Sequence, residues 1–275
     1  GRRLRALAVI AINDPDILGV QEADQIQVDD VLGVFPQYEY FGAGREDGLQ
    51  TGEQSGIFYR ADRFTRLDGG HFWLSETPTV PGTTFATGTD SGNPRMATWA
   101  VLEDALTGGS LFVLNTHWSL NTSARSASAE LIRAQLAVLA GDLPTLVMGD
   151  LNTSETRTAF ELLRDGIAPG DRPFIDAYRE VFPIKQTGER TFHDFLGGTL
   201  GSRIDHVLYS EGDFQALDAS IDRTRFAGLY PSDHYPVTAT LLVPELSTLG
   251  LLALGGVLFL AIFRPHLRST RGFLR

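Results

Sequence analysis

The chain has 275 residues, of which 34 are acidic and 23 are basic, so its formal net charge is −11, and it contains no cysteine. The absence of cysteine excludes disulfides, thiolate metal sites and cysteine nucleophiles. An apolar fraction of 43% excludes a disordered chain. The negative balance argues against a protein that holds nucleic acid by a broad basic face.

The hydrophobic pattern predicts helices and strands in mixed order along the chain. Helices are predicted at residues 2–12, 24–34, 123–140 and 155–164. Strands are predicted at residues 17–21, 56–59, 98–102, 111–115, 146–148, 203–209 and 237–242. Residues 76–94 are rich in glycine, proline, aspartate and threonine, which predicts a loop at the rim of a site. This order predicts an α/β protein whose sheets are covered by helices on their outer faces.

The C-terminal segment differs in character from the rest. An uncharged run of 18 residues at 246–263 is followed by four arginines, whereas residues 1–243 carry 33 acids and 19 bases. This length is at the lower edge of what spans a bilayer, so we expect a transmembrane helix. The arginines that follow the run predict a cytoplasmic tail, so residues 1–243 are expected to lie outside the cytoplasm. A terminal helix that packs on the domain is the alternative.

Five polar motifs follow predicted strands or loops. They are Gln21-Glu22, Asn115-Thr116-His117, Asp150-Leu151-Asn152, Arg203-Ile204-Asp205-His206 and Ser232-Asp233-His234. Each alone has an ordinary explanation, such as a solvated strand end, an Asx turn or a structural histidine. Their repetition instead predicts a site, since carboxylate oxygens suit Mg²⁺, Mn²⁺ or Ca²⁺ and histidines transfer protons near neutral pH.

The order of these motifs resembles the endonuclease/exonuclease/phosphatase superfamily, which includes pancreatic deoxyribonuclease, neutral sphingomyelinases, inositol polyphosphate phosphatases and deadenylases. The resemblance covers residues 2–242. The sequence segments at 52–60, 72–75 and 95–99 are similar to those of a bacterial subgroup near the deadenylase-like branch. It implies a four-layer αββα sandwich with the site where the two sheets open. We therefore expect a catalytic domain at 1–243 and a separate segment at 244–275.

The resemblance implies a metal and water site. Glu22 is the expected main ligand of a catalytic Mg²⁺, with Mn²⁺ as an alternative. Asp150 is expected to orient or deprotonate the attacking water and to contribute to metal binding. Asn152 is expected to hold a phosphoryl oxygen, and Asp233 to contact the metal directly or through water.

The resemblance also implies two histidine roles. Asp205 is expected to orient His234 by a hydrogen bond. His117 is expected to serve the leaving group or a phosphoryl oxygen, with Glu53 as its carboxylate partner, and which histidine is acid or base stays open. Arg95 is a candidate phosphate clamp, because a planar guanidinium grips two oxygens, and the alternative is a surface arginine.

One family element is expected to be missing. The family begins with a strand that ends in Asn or Asp and supplies a further site residue, whereas residues 2–12 match the helix that follows it. We therefore expect a truncated sequence whose sheet has a gap or an exposed edge.

The expected activity is Mg²⁺-dependent hydrolysis of phosphodiesters by a monomer, most often as an endonuclease or 3′–5′ exonuclease in this family. The alternatives are a lipid, inositol or sugar phosphate phosphoesterase of the sphingomyelinase type and an inactive, surface-displayed binding module. The acidic body favours short or small substrates over long duplex DNA.

The tail resembles a PEP-CTERM sorting signal, in which a Pro-Glu motif, an apolar helix and an arginine cluster follow one another. Pro244-Glu245-Leu246 departs from Pro-Glu-Pro at its third position. The resemblance implies export to the cell envelope or medium, transient membrane anchoring and processing by an exosortase. A plain membrane anchor is the alternative.

Overall fold

The computed structural model describes residues 1–86 and 92–243. The helices are α1 (Arg2–Asn13), α2 (Gln25–Val34), α3 (Thr122–Leu139), α4 (Thr158–Asp165) and α5 (Ala177–Val181). The strands are β1 (Ile17–Gly19), β2 (Tyr38–Phe41), β3 (Ile57–Arg60), β4 (Phe64–Trp73), β5 (Met96–Asp104), β6 (Ser110–His117), β7 (Thr145–Asp150), β8 (Phe174–Asp176), β9 (Asp205–Ser210), β10 (Gln215–Ile221) and β11 (Val237–Leu242).

A six-stranded mixed sheet with the order β4-β5-β6-β7-β9-β8 lies at the centre of the fold. Its β6–β7 pair is parallel and its other pairs are antiparallel. The connection between β6 and β7 contains α3, as a parallel pair requires a crossover. The second layer of strands is in two pieces, with the orders β1-β3-β2 and β10-β11.

Three hydrophobic clusters define the layers. The cluster between the sheets includes Ile17, Met148 and Val237. Phe112 and Ile132 belong to the cluster where α3 and α4 cover the large sheet. The third cluster joins α1 and α2 to β1, β2 and β3. The α/β class is therefore confirmed, and the order of layers agrees with the expected αββα sandwich.

The long helices and the buried strands lie where the sequence predicts them, with shifts at their ends. Helix α4 begins at Thr158, three residues later than predicted, and β9 begins at Asp205 rather than 203. The pattern does not predict β2, β4, β8, β10 or α5. Strand β4 lies at an edge of the large sheet, contains two glycines and is buried mainly at its ends, so it lacks the continuous apolar run of a central strand.

Two predictions about the termini lie outside the described residues. The predicted membrane helix at 246–263 and the predicted sorting signal fall in 244–275. None of the helices formed by residues 1–86 and 92–243 has the length and apolarity needed to cross a bilayer. The strand expected before residue 1 stays a prediction.

Candidate active site

The strand ends of the large sheet bring together one predicted histidine and two predicted carboxylates. His117, the last residue of β6, lies opposite Asp150, the last residue of β7, in the parallel register. Asp150 in turn lies opposite Asp205, the first residue of β9. All three side chains are buried. Residues that are distant in sequence therefore meet because three neighbouring strands end or begin at one edge.

The close approach of β6 and β7 depends on a glycine just before Asp150. Gly149 has φ 146°, and a Cβ at this position would lie 1.9 Å from the Thr116 carbonyl oxygen. No side chain larger than hydrogen fits between the strands at this point.

Asn152 reaches the site by a turn that follows the end of β7. Strand β7 ends at Asp150, and Asn152 adopts φ 47° while its backbone N–H donates to Asp150 Oδ1 at 2.8 Å. Its Nδ2 lies 3.1 Å from His117 Nε2 and donates to the Trp118 carbonyl at 2.9 Å. A left-handed turn therefore returns the amide to the strand ends.

His234 is held between two carboxylates. Its Nδ1 lies 2.8 Å from Asp205 Oδ2, which is the hydrogen bond that the sequence predicts. Its Nε2 lies 3.8 Å from Asp150 Oδ2. Burial by itself would lower the pKa of His234, but the charge and hydrogen bond of Asp205 and the charge of Asp150 raise it to about 9.

The pKa of the Asp150 carboxyl group lies above that of an ordinary aspartate. Burial and the nearby charge of Asp205 raise the pKa of Asp150 to about 7, against the lowering effect of His234. Asp150 and His234 therefore have the composition of a proton-transfer pair.

His117 has different surroundings. Arg95 Nη1 lies 2.9 Å from its Nδ1 and 2.8 Å from its Nε2. Glu22 Oε1 lies 3.8 Å from Nδ1, and Asp150 Oδ2 lies 3.5 Å from Nε2. Burial and the positive charge of Arg95 hold the pKa of His117 well below its usual range. This ring is therefore neutral at pH 7.

The expected pairing of His117 with Glu53 is replaced by a different ion pair. Glu53 Oε2 lies 2.6 Å from Arg45 Nη1. Glu53 still belongs to the group formed with Glu22 and His117, whose ligand atoms lie within 4.8 Å of one another. Arg45 takes the carboxylate because it reaches in from the same loop between β2 and β3, a contact that the sequence does not reveal.

Asp233 lines the same cavity as Glu22, another predicted metal ligand. It belongs to neither of the two ligand groups found among the described residues. It lines, together with Glu22, a cavity of about 280 Å³ between α1, α2 and the turn at 231–233. The contact of Asp233 with a metal, directly or through water, stays a prediction.

The donor set fits a hard divalent cation. Two groups gather three ligand atoms each, namely Glu22, Glu53 and His117, and Asp150, Asp205 and His234. Both groups are dominated by carboxylate oxygens, which Mg²⁺ and Mn²⁺ prefer. Asp205 Oδ1 is also buried with no hydrogen-bond partner among the described residues.

A buried ion network below the site was missed by sequence reasoning. Arg203 Nη2 lies 3.0 Å from Glu155 Oε2 and 2.6 Å from Asp176 Oδ2. Its Nη1 donates to His206 Nδ1 at 2.6 Å, and His206 Nε2 donates to the Thr153 carbonyl at 3.0 Å. The network joins the start of β9 to the turn after β7. Its only signal in the sequence was the presence of Arg203 and His206 in the motif around Asp205.

Comparison with known proteins identifies the family. The sequence matches the model of the Endonuclease/Exonuclease/phosphatase family over residues 1–234. The chain belongs to this family. The resemblance found in the motifs is thus confirmed, and divalent-metal-dependent phosphoesterase chemistry is the family's activity. A search of curated proteins by sequence found no match.

Solved structures of the family agree with the fold. An endonuclease/exonuclease/phosphatase of Bacteroides vulgatus is 30% identical with a TM-score of 0.77, covering 88% of this chain and 90% of that one. A mannosyl-6-phosphatase of Bacteroides thetaiotaomicron is 30% identical with a TM-score of 0.76, again covering 88% of this chain and 90% of that one. The catalytic domain of human Nocturnin, 19% identical with a TM-score of 0.66 and coverages of 88% and 86%, supports the fold alone.

Proposed function

We propose that this protein hydrolyses phosphate esters with the help of a divalent metal ion, Mg²⁺ or Mn²⁺. One observation carries the proposal: His234, hydrogen-bonded to Asp205, faces the buried Asp150 beside the carboxylates of Glu22 and Glu53. This arrangement combines a proton-transfer pair with hard metal ligands in one cleft. A bound divalent cation would supply Lewis-acid stabilisation of the phosphoryl oxygens.

The other side chains of the site have separate roles in the proposed reaction. Asp150 Oδ2 and His234 Nε2 lie 3.8 Å apart, so both can contact one attacking water and take up its proton. Asn152 Nδ2 donates to a phosphoryl oxygen when the substrate replaces its contact with His117 Nε2. His117 is neutral and donates one ring N–H to the phosphoryl group or to the leaving oxygen. Glu22 and Glu53 would hold the cation.

For the substrate we place small sugar phosphates first. The mannosyl-6-phosphatase of Bacteroides thetaiotaomicron is 30% identical over most of both chains, and its name states its activity. The excess of acids over bases in residues 1–243 also disfavours long nucleic acids. Nuclease activity, which the sequence predicts, is the second candidate because its motif order is shared with pancreatic deoxyribonuclease. Fold and family do not choose between them.

An activity panel tests the proposal. The full chain is assayed with Mg²⁺, with Mn²⁺ and with EDTA on mannose 6-phosphate, inositol phosphates, sphingomyelin, single-stranded RNA and DNA. Metal-dependent release of phosphate from the sugar phosphate is the expected result. Hydrolysis confined to nucleic acid would replace the first candidate by the second. Hydrolysis of none of them, with tight binding of one, would favour the binding module.

We further propose that the protein is exported and held at the membrane by residues 246–263. The uncharged run followed by arginines supports this placement. Cell fractionation with an antibody against the catalytic domain tests it. Protein in the medium that ends near Glu245 would favour exosortase-type processing, and intact protein in membranes would favour a plain anchor. Recovery of all the protein from the cytoplasm would overturn the proposal.

A further inference from the structure

Arg45 is a site residue that the metal and proton chemistry leaves without a role. It lies in the loop between β2 and β3, where its N–H donates to the Glu53 carbonyl at 3.1 Å and its carbonyl accepts from Trp73 Nε1 at 2.6 Å. These two bonds fix the backbone of the loop. The side chain is 14% exposed, and its Nη1 lies 2.6 Å from Glu53 Oε2.

Arg95 lines the same small cavity as Arg45. Its side chain is buried, and its Nη1 contacts the ring of His117. The two arginines enclose a cavity of about 10 Å³ together with Glu22, Glu53, Ser55, Pro94, Met96 and His117. A cavity of about 10 Å³ accommodates one water-sized group. Because Glu22, Glu53 and His117 also form a ligand group, the two arginines border the space in which the cation would be held.

Phosphate monoesters and diesters differ in their number of non-bridging oxygens and in their charge. A monoester has three non-bridging oxygens and about two negative charges at pH 7, whereas a diester has two such oxygens and carries a second substituent. Guanidinium groups bind phosphate oxygens through several N–H donors at once. Two arginines beside the metal ligands complement the third oxygen and the second charge of a monoester.

We propose that Arg45 and Arg95 bind the oxygens of a terminal phosphate beside the metal ligands, so that Arg45 selects phosphate monoesters over diesters. This inference rests on the proposed phosphate-ester hydrolysis. In the reaction a water oxygen bonds to phosphorus, the ester P–O bond breaks, and a proton passes to the departing oxygen to give an alcohol and inorganic phosphate.

The competing role for Arg45 is to neutralise Glu53 alone. That role predicts equal losses for every substrate, because an unpaired Glu53 would disturb the metal site in the same way whatever the ester. Selection of the third oxygen predicts unequal losses. The ratio of monoester to diester activity therefore separates the two roles.

The experiment compares two substrates with the same leaving group, p-nitrophenyl phosphate and bis-p-nitrophenyl phosphate. Full-length wild type, Arg45→Met, Arg45→Lys and the exposed control Arg225→Met are assayed with Mg²⁺. Arg45→Met is expected to lose about 10- to 100-fold in kcat/KM for the monoester, the scale of one charge-assisted hydrogen bond. The diester rate is expected to change less than about threefold. Arg45→Lys is expected to fall between, and Arg225→Met to match wild type.

Calorimetric titration with inorganic phosphate supplies a readout that does not need turnover. Phosphate affinity is expected to fall about tenfold or more in Arg45→Met and to stay unchanged in Arg225→Met. Equal losses on both esters, a wild-type preference for the diester or unchanged phosphate affinity in folded Arg45→Met would overturn the inference. If the wild type cleaves neither ester nor any substrate of the activity panel, the proposed function fails, and phosphate binding still decides the role of Arg45. If Arg45→Met does not fold, Arg45→Lys is judged by the same ratio.

Discussion

His234 and Asp205 form the shortest side-chain contact between a histidine and a carboxylate in the site, with Nδ1 and Oδ2 2.8 Å apart. Asp205 is fully buried and begins β9, so it is held by the sheet rather than by a loop. The ring is therefore fixed with Nε2 directed towards Asp150, 3.8 Å away. A rigid carboxylate behind the ring sets both its orientation and its charge.

Asp205→Asn is expected to lower turnover by about 10²- to 10⁴-fold, because an amide neither stabilises the charged ring nor holds it in the same orientation. Steady-state assays on the best substrate of the panel measure the loss. Asp218→Asn, at an exposed position on β10, serves as the control and should match wild type. Wild-type turnover in Asp205→Asn would remove His234 from the mechanism.

Glu22→Gln is expected to weaken Mn²⁺ binding about tenfold or more, since a neutral amide replaces a charged oxygen ligand. Electron paramagnetic resonance of free Mn²⁺ gives the affinity without any turnover. The matched change Glu103→Gln, on the exposed face of β5, should leave binding unchanged. Activity of the wild type should disappear in EDTA and return with added Mg²⁺. Unchanged Mn²⁺ affinity would move the metal site away from Glu22.

Gly149→Ala is expected to destabilise the fold by about 3 kcal/mol or more, because its Cβ would collide with the Thr116 carbonyl at a positive φ. Urea unfolding measures the change. Gly141→Ala separates the two causes, since Gly141 also has positive φ, 55°, but no atom lies within 4 Å of its added Cβ. Equal losses of unfolding free energy in both variants would show that backbone strain, and not the close strand contact, causes the destabilisation in Gly149→Ala.

Arg203→Met is expected to cost about 3–5 kcal/mol of unfolding free energy, because it leaves Asp176 buried without its charged partner. Chemical denaturation again measures the loss. Arg164→Met removes a more exposed ion pair with Asp165 and should cost less than about 1 kcal/mol. A loss of similar size in the two variants would contradict a special role for the buried network.

The lowered pKa of His71 predicts that the folded protein loses stability in acid. Burial, helped by the charge of Arg66, lowers the pKa of His71 to about 4, whereas an unfolded histidine titrates near 6.5. Between these values the unfolded chain binds a proton that the folded protein does not. Stability is therefore lost as pH falls from about 6.5 to 4, by no more than about 3 kcal/mol. Urea unfolding at pH 7, 5.5 and 4.5 measures this slope.

His71→Gln is the variant that tests this assignment. Glutamine retains a polar atom for the Thr98 hydroxyl, which lies 3.0 Å from His71 Nδ1, but does not titrate. The variant is expected to lose less stability than wild type over the same interval. Parallel curves for the two proteins would assign the acid sensitivity to other groups.

Much of the fold could be predicted because its central elements have strong local patterns. Strands β6 and β7 are continuous apolar runs, and α3 is a long amphipathic segment, so periodicity alone located them. Strands β4 and β10 are partly exposed and contain polar residues, and β8 has only three residues. Such strands are defined by their pairing partners, which a local pattern does not contain.

The sequence by itself determined the chemistry of the site, since carboxylates, histidines and an asparagine in family order mark a metal and proton site. Only the tertiary structure decided which of these groups meet. The register of β6, β7 and β9 places His117, Asp150 and Asp205 side by side, and a left-handed turn adds Asn152. Folding also brings Arg45 to Glu53 and Arg203 to Asp176, because electrostatic pairing acts through space and leaves no local trace in the order of residues.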